Sequence, residues 1–214
     1  MTMTKDTFQA ILDKYADEIR QIRYSAHSLH ASVNQSYNQV HPYGYHLDMV
    51  AKQVQRYGYQ VCTDEADVLP LMFGAYYHDS IEDARRTYND VLRTALQFMD
   101  EQQALLAAEI VYALTNDKGR TRAERAGERY FKGIRETPYA PLVKLADRLS
   151  NAIYSFRHLN EENDFAGLNA QMKEVYRHEM PQFLEALTAK TDDPRYTLPP
   201  EMVEAAKALV EEVK

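Results

Sequence analysis

The sequence contains few of the residues that mark particular classes of protein. Its 214 residues include one cysteine, no tryptophan, 7 glycines and 8 prolines. The single cysteine, Cys62, excludes an internal disulfide, as is usual in a reducing compartment, and a buried inert thiol is its expected state. Because glycine and proline are scarce, the chain does not have the composition of a linker or low-complexity protein. We expect an ordinary globular protein.

Positive charge is also scarce. The 25 Lys and Arg residues are outnumbered by 32 Asp and Glu, which gives a net charge of −7. A nucleic-acid groove needs a basic stripe, so no nucleic-acid partner is expected, although a metal or a few local cations could still attract a small anion. The chain has no apolar run that could span a membrane, and the first six residues, MTMTKD, do not resemble a signal peptide. We therefore expect a cytoplasmic protein without a membrane partner.

Apolar residues recur at helical spacing along almost the whole chain, and alternating strand patterns are missing. The first stripe, from Phe8 to Ile22, is expected to have its helix cap at Asp6. A later helix should begin near Pro141 and continue to Phe156. The other predicted helices are 47–57, 66–77, 87–99, 101–114, 122–134, 168–187 and 200–213. This pattern predicts an all-α fold of roughly eight to nine helices.

Proline and charge mark a change near the C-terminus, where residues 192–200 contain Asp-Asp-Pro and Pro-Pro. We expect residues 1–190 to form the main domain and residues 191–214 to form a loop and a helix. That helix could pack on the core or on a partner subunit of a homo-oligomer. The sequence leaves both arrangements open.

Four candidate metal ligands lie on three separate segments. His78 and Asp79 are adjacent, His46 lies upstream and Asp147 lies downstream on a predicted helix. Imidazole nitrogen together with carboxylate oxygen suits Mn, Fe, Co or Zn. Four protein ligands also leave a position for water or substrate, as a catalytic site requires.

Each of these residues also has a simpler interpretation when taken alone. His46 could be a half-buried histidine, since it precedes apolar Leu47. Asp147 lies on the polar face of its helix, and such a face is usually solvated. Two further carboxylates, Glu82 and Asp83, follow His78 and Asp79 closely, and they could form an exposed acidic turn.

Two motifs resemble the HD superfamily of metal-dependent phosphohydrolases, whose signature is H…HD…D. The stretch HDSIED at residues 78–83 is similar to the HDxxED box of the RelA/SpoT-type (p)ppGpp hydrolases. The stretch VKLADRLSN at residues 143–151 is similar to their VKLADRLxN helix, and LTNDK at 114–118 resembles the segment before it. The resemblance covers about residues 26–156. It implies an HD-domain helical bundle over residues 1–190 and matches the small hydrolase-only members, the metazoan SpoT homologue type.

The resemblance also implies a role for each residue. The metal, usually Mn²⁺ in this family, would be held by His46, His78, Asp79 and Asp147. Glu82 and Asp83 would orient and deprotonate the attacking water, a contribution of roughly 10²–10⁴-fold in rate. The substrate would be contacted by Lys118, Arg120, Lys144, Arg148 and Asn151. For the loop cations Lys118 and Arg120, ordinary surface solvation is the alternative.

The chain departs from the family's pattern just before the first metal histidine. The family commonly has a basic residue there that helps hold guanine, whereas this chain has no Lys or Arg between Arg23 and Lys52. Leu47 also replaces the family's usual proline. A cluster formed by Tyr37, Tyr43 and Tyr45 could stack on a base, but packing is the simpler interpretation.

Three functions follow from these observations. The first is removal of the 3′-pyrophosphate from (p)ppGpp, the alarmone of the stringent response, to give GDP or GTP. The second is an HD-domain phosphohydrolase that acts on another nucleotide, such as NADPH or a nucleoside monophosphate. The third is a non-catalytic helical protein with a regulatory or binding role.

Overall fold

Helices provide nearly all the regular structure in the computed structural model, which describes residues 1–116, 120–158 and 167–211. The helices of these ranges are α1 (Lys5–Lys14), α2 (Ala16–Ser32), α3 (Gly44–Tyr57), α4 (Val68–Tyr77), α5 (Tyr88–Ala95), α6 (Glu101–Leu114), α7 (Arg122–Arg125), α8 (Glu128–Arg135), α9 (Ala140–Arg157), α10 (Leu168–Leu187) and α11 (Pro200–Glu211). Short 3₁₀ turns cover Gly58–Gln60, Glu65–Asp67 and Pro194–Tyr196. The all-α prediction is confirmed.

The described helical segments outnumber the roughly eight to nine that apolar spacing predicts. One reason is that the stripe from Phe8 to Ile22 is divided at Tyr15 into α1 and α2. Another is that the predicted helix over 122–134 is interrupted before Glu128, giving α7 and α8. Apolar spacing continues across both breaks, so periodicity alone does not reveal them.

Side-chain caps set the starts of several helices. The predicted cap of α1 at Asp6 is wrong, because Thr4 accepts the hydrogen bond from the backbone N–H of Thr7 at 3.1 Å. Asp6 lies instead in the first turn, where its negative charge complements the helix dipole. At α5, Thr87 and Asp90 form a reciprocal capping box. A side-chain cap therefore fixes the first residue of a helix more closely than hydrophobic spacing predicts it.

The most buried helix is α4, whose sequence VLPLMFGAYY is buried at every position. It packs against α2, α3 and α6, while α9 packs against α3, α8 and α10. The approach of α4 to α6 is close at Gly74, where a β-carbon would lie 2.6 Å from Ile110 Cγ2. A helix that is apolar on all sides forms the centre of the core.

A small antiparallel hairpin precedes α3. Its strands are β1 (Ser36–Tyr37) and β2 (His41–Pro42), and the turn between them has positive φ at Asn38 and Gln39. Asparagine tolerates the left-handed conformation better than most residues. The hairpin places Tyr37 over the first turn of α3, where its ring stacks on His46 with centroids 5.0 Å apart.

The C-terminal helix α11 packs on α9 and α10 of its own chain. Met202 and Ala206 are fully buried in the same core as the other helices. α11 therefore contributes to the core of its own chain. Among the described residues, no helix combines the length and apolar character needed to cross a bilayer.

Candidate metal centre and active site

Three helices bring the four candidate ligands to one place. His46 lies in the first turn of α3, His78 directly follows α4, and Asp147 lies in the middle of α9. Because α3 packs against both α4 and α9, residues distant in sequence meet at the junction of these helices. Both histidines are almost fully buried, at 2 % exposure, so their surroundings are fixed by the core.

The donor atoms of these side chains converge. The Nε2 atoms of His46 and His78 lie 3.2 Å apart, and Asp79 Oδ2 lies 2.8 Å from His78 Nε2 and 3.6 Å from His46 Nε2. Asp147 Oδ1 lies 3.3 Å from His46 Nε2 and 3.9 Å from His78 Nε2. Ligands bonded to one ion at about 2.0–2.2 Å must be separated by roughly 3–4 Å. The donor atoms of His46, His78 and Asp79 all lie within 4.8 Å of one another and could hold one divalent ion, whereas Asp147 approaches the two histidines from one side and does not belong to that three-residue group.

The histidine tautomers are consistent with metal binding. His78 Nδ1 lies 3.0 Å from the carbonyl oxygen of Ala75, so it carries the proton and leaves the Nε2 lone pair facing the cluster. His46 presents Nε2 to the same cluster, while its Nδ1 has no hydrogen-bond partner among the described residues. Its ring is held by stacking on Tyr37 and by edge contact with Tyr43.

The two carboxylates of the cluster, Asp79 and Asp147, keep their negative charge beside the histidines. Burial by itself would raise the pKa of Asp79, but the neighbouring His78 and His46 lower it well below its usual value. Burial likewise opposes ionisation of Asp147, yet Lys144 and His46 lower its pKa. Burial would lower the pKa of His46, whereas hydrogen bonds to Asp147 and Asp79 raise it to about 9. Two half-buried carboxylates thus favour positive charge at the centre, which is the role a cation would take.

Asp147 is held by neighbours on its own helix. Lys144 Nζ donates to its Oδ2 at 3.1 Å, and Asn151 Nδ2 donates to its Oδ1 at 2.7 Å. Asn151 Oδ1 in turn accepts from the Tyr37 hydroxyl at 2.8 Å. Lys144 and Asn151 therefore orient a candidate ligand. Their predicted contact with substrate stays a prediction.

The pair Glu82 and Asp83 lies in the turn after α4 and is exposed. Glu82 accepts two hydrogen bonds from the Asn116 amide, at 2.7 and 2.9 Å. Asp83 Oδ2 accepts from Gln35 Nε2 at 2.6 Å and lies 3.0 Å from the Tyr43 hydroxyl, which also bonds Asp79. Asp83 is therefore linked to the ligand Asp79 through Tyr43, whereas Glu82 is held by Asn116. The expected role of both carboxylates in proton transfer stays a prediction.

An open cavity of about 800 Å³ adjoins Asp147 between α8, α9 and α10. Its described lining includes aromatic rings, amides and charged groups: Asn116, Arg125, Ala126, Tyr130, Phe131, Lys144, Asp147, Arg148, Asn151, Tyr176, Glu179, Gln182, Phe183 and Ala186. Its volume lies within the roughly 300–1,000 Å³ of small-molecule sites. Of the four candidate ligands, Asp147 belongs to this described lining, and His46, His78 and Asp79 do not.

The candidate substrate cations differ in position. Arg148 lines the cavity, but its guanidinium forms an ion pair with Glu179 and lies over the rings of Tyr176 and Phe183, 4.7 and 4.9 Å from their centroids. Arg120 is exposed, its backbone N–H bonded to Glu124, and it does not belong to the described lining. Lys118 lies outside the described residues.

Four residues that support the site are not identified by sequence motifs as parts of it. Tyr37 contacts His46 and Asn151, Tyr43 contacts two carboxylates, and Gln35 and Asn116 each hold one member of the acidic pair. The spacing of Tyr37 and Tyr43 before His46 indicated a cluster but favoured simple packing. Gln35 carries no recognisable sequence signal, and Asn116 lies in the LTNDK stretch without an assigned role, because the contacts of both residues depend on the three-dimensional fold.

The comparisons with protein-family models and with curated proteins found no match to this chain.

Proposed function

We propose that the chain is a metal-dependent phosphohydrolase that acts on a phosphorylated nucleotide. The observation that carries this proposal is the convergence of His46, His78, Asp79 and Asp147 beside a cavity of nucleotide size. Mn²⁺ is the first candidate ion, and Fe, Co or Zn would suit the same nitrogen and oxygen donors. Bound there, the ion would lower the pKa of water and neutralise charge on the phosphoryl oxygens.

The chain's own groups divide the remaining work. Glu82 and Asp83 are exposed carboxylates in the turn after Asp79, and we assign them the proton of an attacking water; Asp83 is the member linked to Asp79, through the Tyr43 hydroxyl. Lys144 and Asn151 keep Asp147 in place. The aromatic walls of the cavity, among them Tyr130 and Phe131, exclude water from a bound nucleotide.

The substrate we propose is (p)ppGpp, cleaved at its 3′-pyrophosphate to give GDP or GTP and pyrophosphate. The support is the pairing of HDSIED with VKLADRLSN in one chain, because both motifs resemble the (p)ppGpp hydrolases and both supply residues of the cluster. The alternative is another phosphorylated nucleotide, such as NADPH or a nucleoside monophosphate. The segment before His46 favours this alternative, since it has no cation and its Gln35 is already bonded to Asp83.

A panel of nucleotides tests the proposal. The purified protein with Mn²⁺ should release pyrophosphate from ppGpp, and kcat/KM values for ppGpp, NADPH and nucleoside monophosphates should rank the substrates. Asp79→Ala should abolish turnover, whereas Asp6→Ala, which removes an exposed carboxylate on α1, should not.

Each outcome separates the candidates. Turnover of another nucleotide but not of ppGpp would replace the substrate and keep the chemistry. Bound Mn²⁺ without turnover of any nucleotide would favour a binding or regulatory protein. A protein that neither binds nor is stabilised by any of these metals would refute the metal centre itself.

A further inference from the structure

Gln35 lies at the end of the segment between α2 and the hairpin, and both ends of its side chain are engaged. Its Nε2 donates to Asp83 Oδ2 at 2.6 Å, and its Oε1 lies 2.6 Å from His30 Nδ1. His30 is fully buried on α2. An exposed carboxylate is thus linked through one amide to a ring fixed in the core.

The direction of this chain of hydrogen bonds follows from the donors available. An ionised Asp83 accepts only, so the amide NH₂ of Gln35 must face it and the carbonyl oxygen must face His30. His30 therefore carries its proton on Nδ1 and donates to Gln35. Its Nε2 has no partner among the described residues, as expected for the unprotonated nitrogen of a buried neutral ring. A reversed amide would place two acceptors in contact.

His30 also supports the second contact of Asp83. Its ring stacks on Tyr43 with centroids 4.6 Å apart and planes at 20°, and the Tyr43 hydroxyl lies 3.0 Å from Asp83 Oδ2. The hydroxyl has one proton and lies between Asp79 and Asp83, so it serves one carboxylate at a time. Gln35 is therefore the donor that remains with Asp83 when Tyr43 turns to Asp79.

We propose that Gln35 is a positioning residue that aims the Asp83 carboxylate at the reaction centre, with His30 fixing the direction of its amide. This inference rests on the proposed function, because it assigns Gln35 a part in the proton transfer made by Asp83. The sequence motifs place the acidic pair but do not account for its orientation. The exposed turn around Asp83 needs an anchor in the core, and the Gln35–His30 pair supplies one.

The test compares variants in steady-state kinetics with Mn²⁺ and the best nucleotide substrate. Gln35→Ala should lower kcat about 10–100-fold, the usual effect of losing a residue that orients a reactive group, and change KM less than about twofold. Gln35→Glu should do the same, since it replaces the donor with a like charge. Gln102→Glu, on the exposed start of α6, is the matched control and should behave as wild type.

A double-mutant cycle shows whether Gln35 acts through Asp83. In an Asp83→Asn background, Gln35→Ala should have less than about a twofold further effect, because groups that act as a unit are not additive. His30→Phe keeps a ring stacked on Tyr43 but removes the donor to Gln35, so it should lower kcat in the same direction. Gln35→Ala should leave Mn²⁺-induced stabilisation unchanged, whereas general unfolding would reduce it.

A second measurement does not depend on turnover. In ¹⁵N NMR spectra the side-chain amide protons of Gln35 should exchange slowly with water, and Asp83→Ala or His30→Phe should abolish this protection. If wild type turns over no nucleotide, the proposed function fails, and the amide signal alone decides whether Gln35 holds Asp83. Rapid exchange in wild type, a kcat for Gln35→Ala within twofold of wild type, or full additivity with Asp83→Asn would each overturn the inference.

Discussion

Asn151→Ala should weaken metal binding without removing any ligand. The Asn151 amide donates to Asp147 Oδ1, the oxygen that lies 3.3 Å from His46 Nε2. A hydrogen bond to a charged group contributes about 1.5–3 kcal/mol. If that loss falls on the metal complex, Kd should rise about tenfold to a hundredfold, a range typical of residues that orient ligands.

Thermal unfolding at increasing Mn²⁺ measures this change. Stabilisation by a bound ligand is RT ln(1 + [L]/Kd), so each tenfold loss of affinity removes about 1.4 kcal/mol at saturating metal. For a domain of this size, that corresponds to about 3–6 °C less metal-induced rise in Tm. Tyr37→Phe should have a smaller effect, because it removes only the hydroxyl that bonds Asn151 and keeps the ring over His46.

Asn89→Ala, at an exposed position of α5, is the control and should show the full metal-induced rise. An Asn151→Ala variant whose Tm rises with Mn²⁺ as much as that of wild type would refute the reasoning. Absence of any rise in wild type would instead count against the metal centre as a whole.

Two further predictions concern stability. Burial would raise the pKa of Asp48, but hydrogen bonds with His27 and Arg23 lower it from 3.8 to about 2. That shift corresponds to about 2.4 kcal/mol, which we reduce to roughly 1 kcal/mol because the side chain is 35 % exposed. In urea unfolding at pH 7, Asp48→Asn should have a lower free energy of unfolding than wild type by this amount. The difference should fade as the pH falls from about 4 toward about 2, because the wild-type carboxyl then gains its proton. A difference that does not depend on pH would contradict the prediction. Gly74→Ala should lower the free energy of unfolding by up to about 2 kcal/mol, since overpacking against Ile110 costs about 1–3 kcal/mol and helix propensity returns about 1 kcal/mol. Ile110→Leu removes the Cγ2 branch, so the double variant Gly74→Ala/Ile110→Leu should recover part of that loss. Equal stability of Gly74→Ala and the double variant would contradict this explanation.

Much of the helical architecture could be predicted because apolar spacing reports which face of a helix is buried. The prediction for α6 matches its observed bounds, and α10 and the end of α3 agree equally well. The breaks at Tyr15 and before Glu128 were missed, since apolar residues continue in phase across them. Caps were partly misread, as at Asp6, because several polar residues near a helix start can accept the same hydrogen bond.

The candidate ligands could be predicted from sequence, whereas the residues that support them could not. His46, His78, Asp79 and Asp147 could be named from motifs, and the structure brings their donor atoms together. The contacts that support these residues could not be predicted, because Gln35 bonds Asp83, 48 positions away in sequence, and no local pattern encodes that contact. The pairing of Arg148 with Glu179 was equally invisible, and it leaves that arginine's charge already balanced at the cavity wall.

Part of the cavity wall lies on α8 and α10, which carry no candidate metal ligand, and this has a consequence for how this scaffold could change. The candidate metal ligands lie on or beside α3, α4 and α9, whereas Phe131 of α8 and Gln182 of α10 line the open cavity. We expect substitutions at these two positions to leave the packing around Gly74 and His78 unchanged. If the proposed function holds, we therefore expect substrate preference to be adjustable at the cavity wall while the candidate metal centre stays intact, so that related chains could diversify in substrate and keep their chemistry.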